Sequence, residues 1–305
     1  MVMGKRQSRP WIVSDEPWSL IEPLLPEPPP KQVEGRPRVP DRQALCGILF
    51  DLIAQDRYTT AASRRLHAVA AELAHCAAWL RFDADRHADA QHHWQAAVHA
   101  AHQADDRDLA AIALSDLAYQ ATWLSKPADA VQALEHARSR TRTPATRSLL
   151  DVRLARACAV LQDRQGTQRA LASAEAELEQ IRPQATPPAV SWMSMADVNA
   201  DAGRCWLDLG EPDRATTAID TGLSELQPHR TRTRAVFLTY RAEGSLHGRD
   251  TSTVAADARA ALDTALDSGA ARCVDLVSAL IHRLASRAEQ PMVELREYAR
   301  ERLAA

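Results

Sequence analysis

The sequence predicts an all-α protein: a helical solenoid preceded by a short, proline-rich and only partly helical N-terminal segment. Three observations carry this prediction. Helical patterns recur at a regular interval along most of the chain. Glycine is scarce, with 10 of 305 residues, while Ala, Leu, Arg, Glu and Gln, which favour helix, are abundant. Nine of the 17 prolines lie at or before Pro40, and the next is Pro127, so long helices are excluded only from the start of the chain.

The recurring pattern is marked by a small residue early in the second helix of each predicted pair. The marker residues are Ala90, Ala130, Ala170, Ala215 and, less clearly, Ala256, at intervals of 40, 40, 45 and 41 residues. A bulky apolar residue often follows four positions later. Since one helix pair cannot bury its apolar face alone, a repeat of this length predicts stacked pairs that share a continuous core.

Apolar periodicity and turn signals predict six pairs of helices and three segments of chain. The segments are 1–50, a junction over 51–65, and the repeat domain over 66–305. The predicted pairs are 66–82 with 85–103, 108–124 with 127–140, 144–162 with 166–181, 189–209 with 212–226, 230–246 with 252–267, and 270–288 with 291–303.

Composition excludes several classes of protein. The formal net charge of −3 is not that of a general nucleic-acid binder. The five cysteines are far apart in the sequence, which favours free thiols in a reducing compartment over a disulfide framework. No run approaches eighteen apolar residues and no apolar stretch follows the basic start. We therefore expect a cytoplasmic protein with no membrane partner.

No catalytic motif is found, so we predict no catalytic residues, no cofactor and no enzyme activity. Histidines cluster near the start of the repeats, at positions 67, 75, 87, 92, 93, 99 and 102. His99 and His102 are spaced to share a metal ion, but no cysteine or paired carboxylate completes a ligand set. We predict no metal site and interpret these histidines as solvated or groove residues.

The first helix of each pair should line the concave face of the solenoid. Aromatic and arginine side chains on these helices suit the capture of a peptide or protein partner. The groove candidates are His75, Trp79, Phe82, Tyr119, Trp123, Arg204 and Arg241. The alternative is that the aromatic residues form core between helices, where tryptophan is usually buried.

Four stretches near the start resemble one known family. They read RPWIVSDE over 9–16, WSLIEPLLP over 18–26, GRPRVPDR over 35–42 and LCGILF over 45–50. Together they resemble the N-terminal domain of insertion-element transposases of the DDE class. The resemblance implies a small helical module that helps to engage DNA ahead of a catalytic domain. This chain departs from the family at Asp51, and the metal-binding carboxylates of that domain have no counterpart here.

A local basic group lies within this transposase-like segment. Lys31, Arg36, Arg38 and Arg42 are candidates for contacts with the DNA backbone. Four phosphate contacts at most predict weak, salt-sensitive binding without sequence specificity. The alternative is that these side chains are solvated loop residues.

Two stretches of the repeat domain resemble the tetratricopeptide repeat (TPR). They are WLDLGEPDRATTAI over 206–219 and WLSKPADAVQAL over 123–134, each with a turn before the second helix. From about Ala61 onward the chain is similar to the TPR half of bacterial helix-turn-helix regulators. The resemblance implies a right-handed TPR-like solenoid that binds a peptide or protein.

The two resemblances together suggest a chimera: the truncated sensor half of a regulator fused to a transposase N-terminal fragment. Two other interpretations remain. The chain would be a transposase-related DNA-binding protein that lacks its catalytic domain, or a chimeric product with no selected function.

Overall fold

The structure, a computed structural model, describes residues 59–182, 186–246 and 251–304. Within these ranges every regular element is helical, and no strand occurs, which confirms the all-α prediction. The twelve α-helices are α1 Thr60–Asp83, α2 His87–Ala104, α3 Arg107–Trp123, α4 Pro127–Arg140, α5 Pro144–Val160, α6 Arg164–Leu178, α7 Met195–Asp208, α8 Pro212–Glu225, α9 Thr231–Ser245, α10 Thr251–Ser268, α11 Ala271–Arg283 and α12 Gln290–Ala304.

All six predicted pairs are present, but three helix ends differ clearly from the prediction. Helix α1 begins at Thr60 rather than at 66, because Thr59 caps it through a 3.2 Å bond from the Ala62 amide. Helix α7 begins at Met195 rather than at 189, because Ser194 and Asp197 form a capping box there. Only a single 3-10 turn forms upstream, over Pro188–Val190. Helix α11 ends at Arg283 rather than at 288.

Four pairs have the same turn between their two helices. In the first pair, Asp85 takes a left-handed conformation with φ 58°. Its amide bonds to the Phe82 carbonyl at 3.1 Å, and the Arg86 amide bonds to the Arg81 carbonyl at 2.8 Å. This double bond pattern is a Schellman motif. The same motif recurs with Ser125, Gln162 and Gly210 at the left-handed position, so one backbone geometry repeats although its residues differ.

The structure corrects two of the five predicted marker residues. Ala90, Ala130 and Ala215 are each the fourth residue of their helix and fully buried. At the fourth position of α6 and α10 stand Thr167 and Val254, which are buried, and not Ala170 and Ala256. Ala256 is exposed. A search for alanine missed the two equivalents because the position accepts other small or β-branched side chains.

The helices pack in a regular order. Each helix contacts its neighbour in the chain, and each odd-numbered helix also contacts the next odd-numbered helix. The 3-10 turn Pro188–Val190 packs on α3 and α5. Helix α11 also contacts α1. The odd-numbered helices, the first of each pair, therefore surround a common centre, and the two ends of the array meet.

Close approach of α7 and α8 depends on two glycines. A Cβ atom added at Gly222 would lie 2.6 Å from the Ala196 carbonyl oxygen, and one at Gly203 would lie 2.3 Å from Cγ1 of Ile219. Both distances are too short for real contacts. The backbones therefore meet where glycine stands, and a methyl group at Gly222 has no flexible neighbour to displace.

Replacement of Gly222 by alanine tests this packing. We expect Gly222→Ala to lower the free energy of unfolding by about 1–3 kcal/mol, because the new methyl group forces the two helices apart. The matched control is Gly244→Ala, where the added Cβ meets atoms only at 3.4 Å. Since alanine favours helix by up to about 1 kcal/mol, that variant should be neutral or slightly more stable. Urea unfolding measures both, and equal changes would contradict the proposed close approach.

Candidate functional site

Two adjoining cavities lie at the centre of the array. The larger has a volume of about 920 Å³ and is lined by all six odd-numbered helices and by the 3-10 turn. The smaller has a volume of about 370 Å³. Both are lined by Tyr119, Arg153, Arg156 and Tyr240, which therefore form the boundary between them.

The two cavities lie side by side along the direction of the lining helices. On α5 the larger cavity is lined from Leu149 to Arg156, whereas the smaller begins at Arg153 and reaches Val160. Much of the larger cavity is apolar. Its apolar wall includes Leu109, Ile112, Leu149, Val152, Met193, Val236 and Phe237. A ligand that fills it would contact this apolar wall, tyrosine and arginine at the boundary, and charged side chains such as Asp83 and Arg272 elsewhere in the lining.

Asp116, in the middle of α3, is the centre of a buried polar network. Its side chain is 1% exposed. Its carboxylate accepts bonds from His75 Nε2 at 2.5 Å, Trp79 Nε1 at 3.1 Å and Arg153 Nη1 at 2.5 Å. Arg153 Nη1 also donates to Ser115 Oγ at 2.5 Å. Three helices are therefore joined at one carboxylate, whose acceptor capacity is largely used.

The network sets the charge of its members. Burial raises the Asp116 pKa, but the charges and hydrogen bonds of Arg153 and His75 outweigh burial and hold it below its usual value. Burial lowers the pKa of His75, but its hydrogen bonds and charge interactions with Asp116 and Cys76 raise it to about 9. Around neutral pH, His75 is thus protonated and the network contains two cations and one anion.

A second network links α5, α7 and α9 at the boundary. Arg156 Nη1 donates to Asp201 at 2.7 Å and to the Tyr240 hydroxyl at 3.2 Å. The guanidinium carbons of Arg156 and Arg204 lie 5.3 Å and 5.2 Å from the Tyr240 ring centre, within cation–π range. Burial lowers the pKa of Arg156, but Tyr240 and Asp201 raise it well above its usual value. Arg156 therefore stays charged.

Asp83 joins the first helix to the far end of the array. Its carboxylate accepts bonds from Arg272 Nη2 on α11 at 3.0 Å and from Arg232 Nη1 on α9 at 3.1 Å. The Arg272 guanidinium carbon also lies 4.8 Å from the Phe82 ring centre and 5.0 Å from that of Trp123. We call Asp83, Arg232 and Arg272 the clasp. It connects residues that are 149 and 189 positions apart in the sequence.

The predicted groove residues lie in different surroundings. His75, Trp79 and Tyr119 line the larger cavity. Trp123, Tyr119 and Arg204 line the smaller one. Phe82 is fully buried beside Trp94 and lines neither cavity. The aromatic stripe therefore has a core side and a cavity side.

Arg241 lies apart from the other candidates. It pairs with Asp257 on α10 at 2.7 Å and with Asp220 on α8 at 3.5 Å, and it lines neither cavity. The predicted DNA-contact residues Lys31, Arg36, Arg38 and Arg42 lie outside the described residues.

Metal binding, membrane insertion and disulfide formation were also considered in the sequence prediction, and the described residues have features that bear on each. No group of three or more His, Cys, Asp or Glu side chains in that part of the chain is placed to hold a metal ion. No helix described there is long and apolar enough to cross a membrane. The four described cysteines, Cys76, Cys158, Cys205 and Cys273, are free thiols.

The sequence prediction missed the charged residues at the centre of the site. Asp116, Arg153 and Arg156 were not among the candidates, and neither were Asp83 and Arg272. A signal was available for Asp116, which is the one charged residue between Asp108 and Lys126 and lies in the middle of a mostly apolar helix. Such a residue requires a buried partner. Arg153 and Arg156 share their helix with other charged residues, so the sequence does not single them out. The clasp has no such signal, because its members lie near helix ends.

Comparisons with known proteins link part of the chain to an insertion element. No family model matches the chain. A stretch of 43 residues is 54% identical to the insertion element IS402 uncharacterized 16.2 kDa protein of Burkholderia cepacia. The stretch is 13% of this chain and 29% of that protein, so the chain spans less than a third of the length of the curated relative it matches.

The raised pKa of His75 predicts a pH-dependent stability. A histidine whose pKa is higher in the folded state stabilises fully below its unfolded pKa, near 6.5. That stabilisation is lost as the pH rises through about 9. We therefore expect the free energy of unfolding to fall by on the order of 2 kcal/mol from pH 6.5 to 9.5.

The matched variants are His75→Gln, which removes the titrating group, and His102→Gln, at an exposed histidine of α2. Urea unfolding at several pH values should show a flatter curve for the first variant and the parental slope for the second. Parallel curves for all three proteins would show that His75 is not protonated in this network.

Proposed function

We propose that this protein is a non-catalytic TPR-like scaffold that holds a peptide or a protein segment of a partner in its central cavity. The observation that carries the proposal is the larger cavity, to which the first helix of every pair contributes. In a repeat array whose equivalent helices all line one cavity, the lining forms an extended surface. Such a surface is suited to binding a ligand rather than to catalysis. The free thiols agree with a cytoplasmic location.

The lining of the cavity supports a peptide ligand. Apolar side chains such as Ile112 and Phe237 would bury apolar groups of the ligand. Tyrosine and arginine at the boundary are side chains that contribute strongly to binding in protein interfaces. Asp116 and Asp201 are already bonded to arginines, so the proposal gives them a structural role and assigns no catalytic residue.

The repeated Schellman turn supports the TPR-like architecture. Two of the four turns, those with Ser125 and Gly210, lie in the stretches that resemble TPR sequences. The proposal extends this similarity to a right-handed solenoid. We further infer that the array is the sensor half of a regulator that lost its DNA-binding head. In place of the head it gained a transposase N-terminal fragment. The 43-residue match to an insertion-element protein supports this last step.

Tyr119, one of the two tyrosines at the boundary between the cavities, allows a direct test. Displayed random peptides would be selected on the full-length protein, and the affinity of the selected peptides measured by fluorescence anisotropy. We expect Tyr119→Ala to weaken binding by about tenfold or more, because it removes a contact at the centre of the site. Trp123→Ala should show whether the peptide also reaches the smaller cavity. Near-parental unfolding midpoints for both variants would assign these side chains to the cavity rather than to the core.

The control is Tyr298→Ala. Tyr298, on the last helix, donates a hydrogen bond to Asp263 on α10 at 2.7 Å and lines neither cavity. This variant should leave peptide affinity unchanged. The proposal fails if no peptide is selected, or if Tyr119→Ala binds selected peptides as tightly as the parent while remaining folded.

The insertion-element match also supports a second candidate function. The chain would be a transposase-related DNA-binding protein without a catalytic domain. If so, duplex DNA should bind with a slope of log affinity against log salt no steeper than about −3.6, since at most four phosphate contacts are predicted. Joint replacement of Lys31, Arg36, Arg38 and Arg42 by alanine should abolish it. Parental DNA binding in that variant would refute the assigned contacts.

A further inference from the structure

Three residues that line the smaller cavity each carry a buried polar atom without a hydrogen-bond partner. Among the described residues, Arg156 Nε, Arg204 Nε and Asp208 Oδ2 are buried and have no hydrogen-bond partner. All three belong to residues that line this cavity. Leaving a buried donor or acceptor unpaired is costly, so such a group in a native structure calls for a partner. Two donors and one acceptor here indicate that a ligand should offer both kinds of group.

Charges of both signs line the same space. Arg204 Nη2 bonds to Asp208 Oδ1 at 2.6 Å, and Arg204 Nη1 bonds to Glu243 at 2.6 Å. The remaining oxygen of Asp208 is the unpaired acceptor. Asp275, an exposed residue of α11, adds a second carboxylate to the lining. Arg156 supplies the opposite charge at the boundary with the larger cavity.

Most of the remaining lining is aromatic and apolar. Tyr119, Trp123 and Tyr240 form one part, and Val160 and Leu276 another. A volume of about 370 Å³ lies within the range of small-molecule sites. A small ligand there would have its charged groups near the arginines and carboxylates and an apolar side group against the aromatic wall.

We propose that the smaller cavity binds a small zwitterion of the amino-acid type. The ligand's carboxylate accepts hydrogen bonds from Arg156 and Arg204, and its ammonium group donates to Asp208 and Asp275. The opposite charges of one small molecule match a wall that carries both. A simple anion would leave Asp208 Oδ2 without a donor, and a simple cation would leave the unpaired N–H groups of Arg156 and Arg204 without an acceptor. This site adjoins the proposed peptide site and shares the boundary residues with it, but Asp208 and Asp275 line only the smaller cavity.

Titration calorimetry on the full-length protein tests the proposal with L-leucine and L-phenylalanine as probes. The comparison compounds are leucinamide, which lacks the carboxylate, and N-acetyl-leucine, which lacks the ammonium group. At least one of the two amino acids should bind, and both blocked compounds should bind at least about tenfold more weakly, because each loses charge-assisted hydrogen bonds. Absence of binding by both amino acids at millimolar concentration, or equal binding of the blocked compounds, would overturn the proposal.

Two variants locate the site. Asp208→Asn keeps the shape of the side chain and should weaken amino-acid binding by about tenfold or more. Asp275→Asn changes an exposed residue, so this variant should fold normally. It therefore gives a second test that remains valid if the Asp208→Asn variant does not fold. The matched control is Asp220→Asn on α8, which lines neither cavity. Parental amino-acid binding in the folded Asp275→Asn protein, or weakened binding in the control, would refute the assigned site.

Discussion

The contact between the two ends of the helical array is the constraint on which the central cavity depends. A row of stacked pairs by itself presents an open inner surface. Here Asp83 on α1 binds Arg272 on α11 and Arg232 on α9. The Asp83 and Arg272 side chains are 11% and 7% exposed. Removing one partner of such a buried pair leaves an uncompensated charge, which costs more than an exposed pair would. The clasp therefore holds both ends of the array around one space.

The inner surface combines tight packing with buried charge. Alanine and glycine on the inner and facing helices allow close approach, and few large apolar side chains remain to fill the centre. Arginines and aspartates on α3, α5 and α7 occupy part of that space, and their side chains pair with one another. Desolvating these groups is costly. Because these side chains lie at the boundary between the cavities, the lining is polar there. An all-apolar core would offer no polar contacts at that point.

The sequence predicts the secondary structure well because its signals are local. Pairs such as α3 and α4 follow from apolar periodicity and from a proline at the first position of the second helix. The repeat register was less accurate, because Thr167 and Val254 fill positions that alanine fills elsewhere. The start of α7 was missed although its signal is local, because Ser194 and Asp197 form a capping box that begins the helix six residues after the predicted start.

The site was predictable only in part. Aromatic stripes on the first helices identified the wall to which Trp79, Tyr119 and Trp123 belong. The pairing of Asp116 with His75 and Arg153 joins residues 41 and 37 positions apart, by subtraction, on separate helices, and sequence spacing alone does not reveal such partners. Arg241 shows the converse: a residue on the expected helix turns to α8 and α10 because Asp220 and Asp257 stand there.

The most direct measurement of this account is a double-mutant cycle across the clasp. The free energies of unfolding of Asp83→Asn, Arg272→Gln and the double variant would be compared with that of the parent in urea. If α1 and α11 meet as described, the two changes should couple by about 1–3 kcal/mol. Effects that are additive to within about 0.3 kcal/mol would contradict this account. They would mean that the two ends do not touch and that the array does not surround the central cavity.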